Sequence, residues 1–182
     1  MPKLRIRNHL PLSTIGHYDT TLVARTLGKL SLLGSQAGQD FWVYGEAFNQ
    51  KRNGYFLDIG AHDGINISNT YILESKYQWS GLCIEANPTT FKKLVLNRNS
   101  QCVNACVDTD EGLVDFALRD GRGGIADKHL DNSVDAKNHH DTIKLKTTSL
   151  ESLLKIYNAP SIIDYLSIDV EGAEARILAN QF

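Results

Sequence analysis

The chain is short of cysteine, of net charge and of long apolar runs, and each shortage excludes a class of protein. Three cysteines, Cys83, Cys102 and Cys106, stand among 182 residues. So small and odd a number builds no disulfide framework. Cys102 and Cys106 lie four apart with no nearby histidine or second cysteine pair, which is not zinc-ligand spacing; no metal site is predicted. The thiols read as small buried apolar residues of a protein from a reducing compartment. Lys plus Arg number 19 and Asp plus Glu 21, a formal net charge of −2. That balance offers no basic field to nucleic acid or an anionic membrane surface. It also lacks the charge excess of a disordered chain. The longest apolar stretch, Leu22 to Leu33, is broken by Arg25 and Lys29, whereas a spanning helix needs about 20 mainly apolar residues. Met1 to Leu12 is basic without an apolar run, so no secretory signal is read and a cytoplasmic location is expected. Neither an internal repeat nor a low-complexity run occurs.

What is present is ordinary globular composition, 42% apolar and 22% charged. Residues 1–34 read as an N-terminal extension with a helix over Thr20 to Leu33, and residues 35–182 as one domain. Ser35 to Asp40 is turn-like, and Phe41, Val43, Tyr44 and Phe48 then fit a helix laid on the domain. Tyr55 to Ile59 and Gly81 to Glu85 are short apolar runs that end in or beside an acid, the pattern of buried strands. A helix is expected from Ile65 to Tyr77. Asn87-Pro88 starts another, with Phe91, Leu94 and Val95 facing inward. Cys102 to Val107 reads as a third strand and Leu113 to Leu118 as a fourth, at a half-covered edge. Arg119 to Asp141 is a polar insert with His139 and His140, too long for a passive turn. Ile143 to Thr147 is a strand, Thr148 to Glu151 a capping box, and Leu150, Leu153, Leu154 and Tyr157 keep helical spacing. Ile162 to Ile168 is a strand ending at Asp169, and Glu171 to Glu174 opens a last helix. Alternation of strand and helix predicts an α/β fold with a largely parallel sheet flanked by helices. Ligands of such sheets bind beyond the carboxyl ends of the strands, where Asp58, Glu85 and Asp169 are expected to converge.

Three groups of residues carry chemistry there. Asp58-Ile59-Gly60-Ala61-His62-Asp63-Gly64 follows a strand with two glycines four apart. It departs from the dinucleotide pattern G-x-G-x-x-G, and no Gly-Lys-Ser/Thr makes it a P-loop. It fits close approach of backbone to a ligand, and equally a plain strand–helix turn packed through glycine. Glu85 at the second strand end suits two vicinal ribose hydroxyls, since a carboxylate has acceptor sites for both. An acid favoured by a helix N-terminus is the alternative. Asp169-Val170-Glu171-Gly172-Ala173-Glu174 places three carboxylates in six residues. They can hold a cation, orient an amine or accept a proton, or simply begin a helix rich in acids.

Together these blocks resemble the FkbM-type methyltransferases, enzymes of the Rossmann-like class I fold that use S-adenosyl-L-methionine. The resemblance runs through Ser35 to Asp40, Gly54 to Gly64, Ser68-Asn69-Thr70, Leu73-Glu74, Trp79 to Pro88, Asn97-Arg98, Thr148-Ser149-Leu150 and Leu166 to Glu174. It implies that Asp58, Gly60, Ala61, His62 and Gly64 line the methionine portion of the cofactor. It implies that Glu85, beside Ala86 and Asn87, holds the ribose. Cys106, Val107 and Asp108 are then expected to flank the adenine, and Asp169 to lie near the sulfonium or the substrate. The implied reaction is methyl transfer to a hydroxyl of a sugar or small metabolite. Asp169 is favoured as the positioning group, with Glu171 and His62 as further candidate bases. Members of the family continue beyond the fourth core strand, so the domain is expected to be incomplete at its C-terminus, with an uncovered sheet edge that makes a homo-oligomer plausible. A non-catalytic binding or trafficking module that keeps the fold is the competing reading. Retention of Gly60, Gly64 and Glu85 favours the enzyme.

Overall fold

The computed structural model describes residues 35, 38–118, 123–126 and 142–179. The helix expected over Thr20 to Leu33 and most of the polar insert, His139 and His140 included, lie outside the described residues. In chain order the elements are α1 (Gln39–Phe41), which continues into a π-helical turn at Trp42–Ala47, β1 (Tyr55–Ile59), α2 (Tyr71–Tyr77), β2 (Ser80–Glu85) and α3 (Pro88–Asn97). There follow β3 (Gln101–Asn104), β4 (Cys106–Val107), β5 (Leu113–Ala117), β6 (Gly124–Ile125), β7 (Thr142–Thr148), α4 (Leu150–Ile156), β8 (Tyr165–Ile168) and α5 (Glu174–Ala179).

β1 is apolar at nearly every position because it lies inside a parallel sheet covered on both faces. The strand order is β3-β2-β1-β8, and every pairing is parallel. On one face Leu57, Ile59, Leu82, Ile84 and Val103 pack against Leu150 and Leu153 of α4 and Ile177 of α5. On the other, Phe56 and Cys83 pack with Leu73, Trp79, Leu94 and Val43. The register also lines up Cys102, Cys83, Asp58 and Ser167 on this second face, one residue from each strand.

The expected single sheet is in fact two. β4, β7, β5 and β6 form a second, mixed sheet in which β4 and β7 are parallel and the other pairs antiparallel. The strand expected over Cys102 to Val107 therefore divides at Ala105. At the break Ala105 N–H still donates to Glu85 O, and the Asn104 side-chain amide donates to the carbonyls of Glu85 and Ala86. β5 is not an edge but lies between β7 and β6, with Phe116 its buried residue.

Four further boundaries moved. The helix expected from Ile65 starts at Tyr71. The Asp63 carboxylate takes the N–H groups of Ile65 and Asn66, and the Ser68 hydroxyl takes those of Thr70 and Tyr71. Such side-chain bonds compete with helix formation. Val95 is exposed, and the buried side of α3 is Thr90 and Leu94. The cap of α4 is Ser149 rather than Thr148, its hydroxyl accepting from Ser152 N–H. Ile162 stays outside β8, half-exposed. The last helix begins at Glu174, because Glu171 and Gly172 have φ of 59° and 106° and the Glu174 carboxylate ties back to Val170 and Gly172 N–H. Asn87 caps α3 as expected, its side chain accepting from Thr89 N–H with Pro88 in the first turn.

Candidate functional site

A crevice opens at the carboxyl ends of β1, β2 and β8, the position where parallel sheets take ligands. The structure brings Asp58, Gly60, Ala61, His62, Glu85, Ala86, Asn87, Val107, Asp169 and Glu171 to its wall. Gly64 and Asp108 do not line it. Gly64 has φ +81° and a β-carbon there would stand 2.7 Å from side-chain atoms of Leu94 and Arg98, so its bareness serves packing. Asp108 turns away to an ion pair with Arg176 at 2.9 Å.

Glu85 ends β2 with its carboxylate 8% exposed and held by backbone. Oε2 accepts from His62 N–H at 2.8 Å and Oε1 from Asn87 N–H at 2.7 Å. His62 contributes to this hold through its main chain, in a left-handed conformation with φ 51°. Each carboxylate oxygen has about two acceptor sites, so these two backbone bonds do not exhaust the group's capacity. Burial pushes the Glu85 carboxyl above its ordinary range, and the Asn87 and His62 N–H groups, the Thr90 side chain and the His62 ring pull it part of the way back.

Gly60 has φ +85°, and a β-carbon on it would fall 1.9 Å from the Asp169 carbonyl oxygen. Asp169 N–H donates to Ile59 O at 2.9 Å, and Gly60 and Ala61 N–H both donate to Ile84 O. The glycine thus lets the ends of β1, β2 and β8 meet. Asp58, 3% exposed, accepts from the Thr70 hydroxyl at 2.6 Å. Burial raises its pKa. The Thr70 bond, the Arg98 charge and Ser167 oppose that rise, while the Asp169 charge adds to it.

Sequence reasoning did not single out Asn66, Ile67, Asn69, Thr90, Phe116 or Ile125, which also line the crevice. Asn69 donates to Ser167 Oγ at 3.1 Å. Phe116 and Ile125 arrive from the second sheet, where they pack with Cys106. Alternation along Leu113 to Leu118 pointed to a half-covered strand, and only the second sheet brings its buried residue, Phe116, to this wall. Cys106 is no nucleophile: burial, with the Asp108 charge, pushes its thiol up to about 12. Among the described residues no group of three or more His, Cys, Asp or Glu is placed to hold a metal ion. Nor is any described helix long and apolar enough to cross a membrane.

An α/β domain with a parallel sheet, a glycine-bearing first loop and an acid at or beside the end of three of the sheet's four strands is the class defined by this geometry. The methyltransferase FkbM domain model matches residues 58–181, and the chain belongs to that family. No curated protein and no solved structure matches it.

Proposed function

We propose that the crevice binds S-adenosyl-L-methionine and that the protein transfers its methyl group to a hydroxyl of a sugar or small metabolite. The observation that carries the reading is Glu85. Two backbone N–H groups fix its carboxylate at the crevice wall, and its remaining acceptor capacity is a complement for ribose hydroxyls. The remaining wall is consistent with the other parts of the cofactor. Asp58 is an acceptor-only group suited to the methionine ammonium, with Gly60 and Ala61 beside it. Val107, Phe116 and Ile125 offer apolar surface for the adenine, a role the sequence had assigned to Val107 with Asp108. Ala86 and Asn87 flank the ribose.

The bound cofactor supplies a methyl already activated on a sulfonium. The protein's part is alignment and proton removal. Asp169 lies across Gly60 from the methionine region and orients the acceptor hydroxyl. Glu171 and His62, on the same wall, are the further groups able to take its proton.

Calorimetric titration of the chain with S-adenosylhomocysteine tests the reading. Saturable one-site binding is expected. Glu85→Gln should weaken it by about 1.5–3 kcal/mol, roughly tenfold to over a hundredfold. A folded chain that binds nothing, or an unchanged Kd in the variant, overturns it.

A further inference from the structure

A buried polar chain runs from behind the crevice to Asp58, and Ser68 on its way and Asp58 at its end reach the crevice wall. Arg98, just past α3, has no exposed side-chain surface. Its guanidinium donates to Glu74 Oε2 at 3.0 Å, to Gly64 O at 3.3 Å and to Ser68 Oγ at 3.4 Å. The Phe56 ring lies 5.3 Å from its central carbon. Its Nη2 donates to Thr70 Oγ1 at 3.0 Å, and Thr70 Oγ1 is 2.6 Å from Asp58 Oδ2.

The direction of these bonds is forced. A guanidinium has donors only, so the Thr70 oxygen must accept from it. The hydroxyl's single proton then goes to Asp58, whose Oδ2 must be unprotonated. The second glycine of the first loop belongs to the same device. A β-carbon at Gly64 would stand 2.7 Å from Arg98 Cγ, so the loop is bare where the arginine passes beneath it.

We propose that Arg98 is a positioning residue for the cofactor: acting through the Thr70 hydroxyl, it keeps Asp58 ionised and fixed in rotation at the crevice wall. This rests on the cofactor reading above, in which Asp58 meets a cationic ammonium. Of the other groups facing Asp58, one supports its charge and the rest work against it or leave it alone. Asp169 follows β8 and is a like charge, and Ser167 on β8 donates to Asp58. Tyr165 on β8 and Cys83 on β2 feel the Asp58 charge as a rise in their own pKa.

The test follows the Asp58 side-chain carboxyl carbon by NMR across pH in the full chain, without ligand. It compares wild type with Thr70→Val, Thr70→Ser and the double variant Glu74→Gln/Arg98→Met, which leaves no buried carboxylate unpaired. The Asp58 midpoint should move to higher pH in Thr70→Val and in the double variant, and return in Thr70→Ser. S-adenosylhomocysteine binding should weaken about tenfold near pH 6 in the first two, with its acid edge moving up in step. An Asp58 titration indifferent to both changes overturns the inference. So does a shifted titration with affinity unmoved at every pH. A folded wild type that binds no S-adenosylhomocysteine overturns the cofactor reading instead, so the two failures are distinguishable.

Discussion

The two faces of the parallel sheet are made by the same strands and the same alternation, yet they differ in kind. One face carries Leu57, Ile59, Leu82, Ile84 and Val103 against two helices, with no ionisable group among them. The other carries the row Cys102, Cys83, Asp58 and Ser167, and above it Thr70, Arg98 and Glu74. The first face is held by burial, which is non-directional and tolerates shape-preserving exchange. The second adds to its own apolar cluster a set of directed bonds, each of which costs heavily if one partner is lost. Apolar packing covers both sides of the layer, whereas the buried charge is confined to one. The side that carries charge delivers Asp58 and Glu85 to the crevice.

The largest effect should come from breaking the charged side. Arg98→Leu leaves Glu74 without its cation and is expected to lower stability by about 3–5 kcal/mol. Leu82→Ala on the apolar side is expected to cost about 2–5 kcal/mol. Pairing the substitutions with Glu74→Gln sharpens the contrast. That change should recover part of the Arg98→Leu loss and none of the Leu82→Ala loss in urea denaturation, and equal recovery in both would abolish the distinction.

Next come opposite pH slopes from two glutamates whose ordinary value is 4.5. Burial raises Glu85 above it in the folded state despite its backbone N–H partners. The stability it contributes is therefore full below 4.5 and is lost as pH rises through the raised folded value. Glu74 is also penalised by burial, but bonds from Ser100, Arg98 and Asn99 outweigh that and depress it. Its contribution is present above 4.5 and is lost as pH falls through the depressed folded value. Glu85→Gln should accordingly gain on wild type as pH rises from about 4 to neutral, while Glu74→Gln should fall behind it. Urea midpoints at several pH values decide this, and parallel slopes would contradict the assignment.

The smallest effect lies on α3, where neighbouring residues face opposite ways. Leu94→Ala should cost about 2–5 kcal/mol. Val95→Ser, at an exposed position, should stay within about 0.5 kcal/mol. Thermal unfolding of the pair is sufficient, and a Val95 loss comparable to that of Leu94 would restore the inward face expected for it.

The strands were legible wherever a short apolar run met an acid or a glycine. Tyr55 to Ile59 and Gly81 to Glu85 are such runs, and both lie where expected, to within a residue. Asn87-Pro88 announced its helix because capping chemistry is local. Helix starts governed by nearby side chains were less legible. Nothing in the Ile65–Thr70 composition foretold that Asp63 and Ser68 would take the N–H groups a helix needs. Arg98 had been matched only as part of a family block, since a lone arginine after a helix ordinarily ends in solvent. Its burial depends on Glu74, Thr70 and Gly64 arriving from other segments.

The sequence by itself therefore determined the class of fold, the strand ends and the acids that stand on them, because periodicity, capping and strand-end position act over a few residues. Only the tertiary structure decided which acids are held by what. Glu85 is fixed by the main chain of His62, Asp58 is tied through Thr70 to a buried arginine, Gly64 serves that arginine instead of lining the crevice, and Phe116 closes the wall from a second sheet. Those outcomes turn on distances between segments far apart in the chain, and on which donor loses its water and must find a partner.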